Sequence, residues 1–100
     1  MTIQRQWAHS FVYADSRGIA SAQLLVSGDF AVSGGGYAEC VTNTSVASTT
    51  EDLANASGLL PIVAIRTYLY SGDTYSEVTF SAPPNAIIRA HVFATWDDGA

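Results

Sequence analysis

Cys40, His9 and His91 are the residues whose types are best suited to chemistry: one thiol nucleophile and two imidazoles able to act as base or metal ligand. Cys40 is the only cysteine, which excludes a disulfide within the chain and a zinc site built from cysteines. A reactive thiolate needs a cationic or helix-N-terminal setting, whereas Cys40 follows Glu39 in an extended pattern. The surroundings favour a small buried thiol over a nucleophile. His9 and His91 stand at opposite ends of the sequence, each on an expected strand. Pairing of the first and last strands would bring the rings together and could recruit Glu39 or Glu77 as a further metal ligand. The close spacing of a metal motif is missing, and half-buried histidines that bond a neighbour are commoner, so no metal, cofactor or catalytic residue is assigned.

The remaining polar signals have plainer readings. Asp97-Asp98-Gly99 and the Ser-Gly-Asp turns at Asp29 and Asp73 lack the convergent oxygens of a calcium loop. Turn aspartates that bond their own backbone account for them. Gly34-Gly35-Gly36 lacks the lysine, hydroxyl residue and helix of a phosphate-binding loop and reads as a flexible break or bulge between strands. Asn43-Thr44-Ser45 and Asn55-Ala56-Ser57 match the glycosylation pattern, which chance explains in a chain so rich in Ser and Thr.

Tyr68, Tyr70 and Tyr75 are the candidate binding residues. They flank the turn Ser71-Gly72-Asp73 and alternate with polar residues. Such a cluster could stack on sugar rings, line a subunit interface, or simply hold a hairpin through cross-strand pairs.

Composition narrows the classes further. Only 13% of residues are charged, against about 25% in an average soluble domain. The formal charge is −5, from nine acids against four arginines and no lysine. Nucleic acid and anionic membrane surfaces, which call for a cationic footprint, are therefore disfavoured as partners. The longest apolar stretch, Leu59 to Ile65, ends at Arg66 and falls short of the roughly 18 residues of a membrane helix. The first seven residues lack the basic-then-apolar layout of a signal peptide, and the compartment stays unassigned.

Alternation of period two dominates the elements that must position these residues. Trp7, His9, Phe11 and Tyr13 share one face of a first strand, opposite Ala8, Ser10 and Val12. Ile19 to Val26 suits helix by propensity and strand by context, and the following Ser27-Gly28-Asp29 turn favours strand, leading into Phe30-Ala31-Val32. Tyr37 to Thr42 is extended. One short helix is expected after a cap at Ser48 or Thr49, with Glu51 and Asp52 completing the capping box and Gly58 and Pro61 ending it. Ile62 to Tyr70, Thr74 to Phe80 and Ala86 to Trp96 are strands joined by the Ser71-Gly72-Asp73 turn and a rigid Ala82-Pro83-Pro84-Asn85 link. Val63, Ile65, Leu69, Val78, Phe80, Ile88 and Val92 are the expected core.

This pattern predicts a mainly β protein: a single domain over residues 1–100, an antiparallel β-sandwich or small barrel with one short helix. The low charge and lack of lysine predict neutral strand edges that isolated proteins normally blunt. The expected function is that of a non-enzymatic structural subunit, assembling with copies of itself or other protein subunits into a particle or fibre of the virion or phage-tail kind. A carbohydrate- or protein-binding module working through the tyrosines is the alternative. A small enzyme using His9 and His91 is a further one and would need both in a concave pocket.

Overall fold

The computed structural model of the chain describes residues 2–42 and 57–99. Seven strands run in sequence order: β1 (Ile3–Tyr13), β2 (Ile19–Val26), β3 (Ser33–Thr42), β4 (Ser57–Leu59), β5 (Ile62–Tyr70), β6 (Asp73–Ser81) and β7 (Ile87–Asp97). They form two antiparallel sheets, one ordered β1-β7-β3-β4 and the other β2-β6-β5. The fold is mainly β, as the alternation predicts. Among the described residues there is no helix; the expected cap and first turns at residues 48–56 lie outside them, as do Asn43 and Asn55. Gly58, expected to terminate that helix, stands inside β4, where it extends the first sheet.

The inward positions of the two sheets meet in one core. Val26, Val78, Phe80 and Ile88 are fully buried there, with Leu24 and Val92 beside them. Ala20, Ala22, Ala38, Ala90 and Ala94 fill the remaining inward sites with small side chains. Of the expected core, Val78, Phe80, Ile88 and Val92 are buried, and Val63, Ile65 and Leu69 are not, at 58%, 49% and 55% exposure. Val63 is the extra residue of a β-bulge between Ile62 and Ala64, so it drops out of the alternation. Ile65 and Leu69 pair with the inward residues Val78 and Thr74 and so hold the core-side face. They stay exposed because β5 is an edge strand, and on the matching side the other sheet ends in only the three-residue β4.

Gly34-Gly35-Gly36 is strand, not a flexible break. The run pairs along β7, and the reason for glycine there is space. A Cβ on Gly34 would collide with Oγ of Ser76 in the facing sheet, and one on Gly36 with the carbonyl oxygen of His91. Ser76 is fully buried and its hydroxyl donates across the core to the Phe93 carbonyl at 3.2 Å. Gly34 thus lets the two sheets approach closely at this point, and Gly36 makes room for the backbone of its own neighbour β7. Phe30-Ala31-Val32, expected as a strand, lies outside any ladder. Its segment is tied by side chains instead: Asp73 accepts the Gly28 N–H at 3.0 Å, and Thr74 Oγ1 accepts the Phe30 N–H at 3.1 Å and donates to the Gly28 carbonyl at 2.8 Å. Asp73 is therefore a long-range clamp rather than a turn residue bonded to its own backbone. Asp97 does serve locally, accepting the Gly99 N–H at 2.9 Å.

Two turns set the ends of the sheets. Ser71 and Gly72, both at positive φ (54° and 84°), join β5 to β6 in the two-residue hairpin that suits the twist of paired strands. Asp15 anchors the other end. Its carboxylate accepts the N–H groups of Arg17 and Ile19 at 2.8 and 3.0 Å and the Arg17 guanidinium at 2.9 Å. Its carbonyl accepts the N–H of Asn85 at 3.0 Å, tying the β1–β2 turn to the loop before β7.

Candidate functional site

Two exposed faces collect the residues able to bind something. On the outer face of the β2-β6-β5 sheet, Tyr68 stands opposite Tyr75 and Tyr70 opposite Asp73. The structure therefore brings all three expected tyrosines together. Tyr68 and Tyr75 stack with centroids 5.1 Å apart and planes 9° from parallel, and Tyr70 meets Tyr75 edge-on at 6.4 Å. The Tyr68 hydroxyl donates to Gln23 Oε1 at 2.8 Å, and the Arg66 guanidinium lies 4.6 Å from the Tyr68 ring centroid while bonding Glu77 at 2.7 Å. Gln23 and the tyrosines line a shallow depression of about 260 Å³. The Tyr68 and Tyr75 rings lie against one another, which is the arrangement that stiffens a hairpin. Tyr70, 67% exposed, is the ring with most surface left for a partner.

The second face is the outer side of β1-β7-β3. Register builds it in rows: Trp7 beside Phe93 and Gly35, His9 beside His91 and Tyr37, Phe11 beside Arg89 and Glu39. Trp7 packs on Phe93 at 5.1 Å and on Tyr37 at 6.3 Å. The Phe93 ring lies over Gly35, where an added Cβ would come within 2.8 Å of it. Arg89 bonds Glu39 at 2.8 Å at the end of this face. The sequence shows the β1 half of this surface as an alternation of Trp7, His9, Phe11 and Tyr13. It could not show Tyr37, Phe93 and the glycine beneath, because their adjacency depends on β7 lying between β1 and β3.

The pairing of first and last strands places His9 directly opposite His91, with ring centroids 5.4 Å apart. Of the two carboxylates considered as their companions, Glu39 shares their face but is engaged by Arg89, and Glu77 lies on the outer face of the other sheet. Among the described residues no group of three or more metal-binding side chains converges. Cys40 is buried and points inward, across the sheet from both histidines. A thiol–imidazole pair would need both on one side, so the geometry separates them. His9 is exposed on the outer face of the sheet, and His91 beside it is partly buried.

Comparison of the chain with protein-family models, curated proteins and solved structures finds no match.

Proposed function

We propose that this chain is a non-enzymatic structural subunit, folded as a β-sandwich, that assembles with copies of itself into a particle or fibre of the virion or phage-tail kind. The observation that carries the reading is the edge at β5, which no other strand pairs among the described residues. Its core-side face leaves Ile65 and Leu69 half exposed. Its nine residues contain no proline and one charge, Arg66, which Glu77 already pairs. Isolated proteins blunt such edges with lysine, proline or a covering element.

A second copy fits the edge. In the hairpin, Tyr70 and Asp73 close the ladder, and alternation then turns the N–H and C=O of Ile65, Thr67 and Leu69 away from β6. Two β5 strands related by a two-fold at Thr67 bond through those groups and continue the sheet antiparallel. This register sets Ile65 of each copy against Leu69 of the other, extending the core across the boundary. On the outer face it sets Arg66 against Tyr68 of the other copy, a cation–π pairing. An isologous pairing of this kind closes as a dimer, and the aromatic face of β1-β7-β3 is then left for growth into a larger assembly. The net charge of −5 is consistent with protein partners rather than nucleic acid or anionic membrane.

Light scattering over a hundredfold concentration range tests the reading. A discrete oligomer supports it, and a monomer throughout refutes it. The depression beside Gln23 favours a second reading, a carbohydrate-binding module in which a sugar ring stacks on Tyr70. A glycan array with Tyr70→Ala as the control separates the two.

A further inference from the structure

The outer face of β1-β7-β3 carries an arrangement with a chemistry of its own. The hydrogen bonds from the Ala14 N–H to the Ala86 carbonyl (2.8 Å) and from the Asp98 N–H to the Thr2 carbonyl (3.0 Å) mark bonded positions at both ends of the β1–β7 ladder. Counting inward from either end, His9 and His91 fall on a non-hydrogen-bonded pair. That is the position where facing Cα atoms approach to about 4.5 Å and side chains come closest. The rings are 5.4 Å apart between centroids and tilted by 59°. Tyr37 stacks on His91 at 4.5 Å and 19°, which restrains the imidazole plane from one side. Among the described residues, neither imidazole enters a hydrogen bond or ion pair; their contacts are with rings.

We propose that His9 and His91 form a bidentate chelate for borderline divalent transition metals, namely copper, nickel and zinc. Neutral imidazole nitrogen is a preferred donor for these ions, and metal–nitrogen bonds of about 2.0–2.1 Å place two ligating nitrogens roughly 3 Å apart. Two rings on facing positions of a rigid ladder reach that separation by side-chain rotation alone. Once one imidazole has bound, the second is already at high effective concentration, so the pair binds far more tightly than either ring. Magnesium and calcium, which require oxygen ligands, are not held. With only two protein donors the site keeps coordination positions for water or for a donor from another molecule.

The test is calorimetric titration of the full chain with nickel and with zinc, using magnesium as the control ion. Trp7 lies two residues from His9 on the same face, so quenching of its fluorescence by copper gives an independent readout. One equivalent of nickel or zinc is expected to bind. His9→Ala and His91→Ala are each expected to weaken binding at least tenfold, and the double variant to weaken it little beyond either single one. Both side chains lie on the outer face, and circular dichroism checks that the variants fold. Single variants that each lose less than threefold, or a wild type that binds no tighter than the double variant, would overturn the chelate.

Discussion

Ile65→Lys probes the assembly reading where its energetics are most concentrated. Full burial of an Ile or Leu side chain is worth roughly 1.5–3 kcal/mol. Ile65 and Leu69 are 49% and 55% exposed, so about half of that gain remains for each to make. Pairing two β5 strands about Thr67 buries two copies of each residue, which amounts to roughly 3–6 kcal/mol in all. Ile65→Lys removes about half of this and sets an ammonium group on each side against the apolar Leu69. The dimer dissociation constant should therefore rise at least tenfold and up to a hundredfold or more, at about 1.4 kcal/mol per factor of ten. Sedimentation velocity across a dilution series reads the shift. The isolated subunit should lose at most about 0.75–1.5 kcal/mol, the half of the Ile65 burial already made within it, less what the apolar lysine stem recovers. Ser21→Lys, on the outer face of β2, is the charge-matched control and should leave assembly unchanged. An Ile65→Lys protein that assembles at wild-type concentrations would show that β5 is not the contact. One that unfolds would show that Ile65 is already enclosed within the single subunit.

Three further outcomes test the fold beneath that reading. Val78→Ala, at a fully buried position, should cost on the order of 1–3 kcal/mol in chemical denaturation; a neutral result would reverse the assignment of inner and outer faces. Gly34→Ala should cost roughly 1–3 kcal/mol through overpacking against Ser76, while Ser76→Ala alone should cost about 1 kcal/mol for its lost hydrogen bond. The double variant should come out more stable than the sum of the two, but not fully restored, because the Ser76 Cβ still lies 3.1 Å from the new methyl; strict additivity would remove the close approach of the sheets as the reason for glycine. Asp15 accepts the Ile19 N–H and the Arg17 guanidinium and N–H, which hold its carboxyl below the ordinary 3.8. A folded-state value below the unfolded one gives a contribution that is complete above 3.8 and lost as pH falls through the lowered value. The melting temperature of Asp15→Asn should thus fall less steeply than that of wild type on acidification below that point, and parallel curves would contradict the carboxylate's role.

Strand identity was legible in the sequence because it is a local property. A period of two over nine to eleven residues marks β1, β6 and β7 whatever surrounds them, Ser71-Gly72 carries its own turn conformation, and β2, which suits helix by propensity, reads as strand through the turn that follows it. Parity also assigned the two faces of β7 correctly, with Ile88 and Val92 inward and His91 and Phe93 outward. The sequence brought Tyr68, Tyr70 and Tyr75 together for the same reason, since a two-residue turn leaves little freedom in what faces what.

Where the answer depends on a second element, only the tertiary structure decided it. Ile65 and Leu69 have the right parity for a core, yet burial needs a facing layer, and β5 lies at an edge where that layer runs out. Gly34-Gly35-Gly36 resembles a break when its conformational freedom is considered alone. It is strand because it pairs along β7, and it is glycine because Ser76, Phe93 and His91 occupy the space that side chains would fill. His9 and His91 stand 82 positions apart in number, and nothing local relates them. Their meeting follows from a single choice of ladder register between β1 and β7, where a shift by one residue would have turned one imidazole to the opposite face.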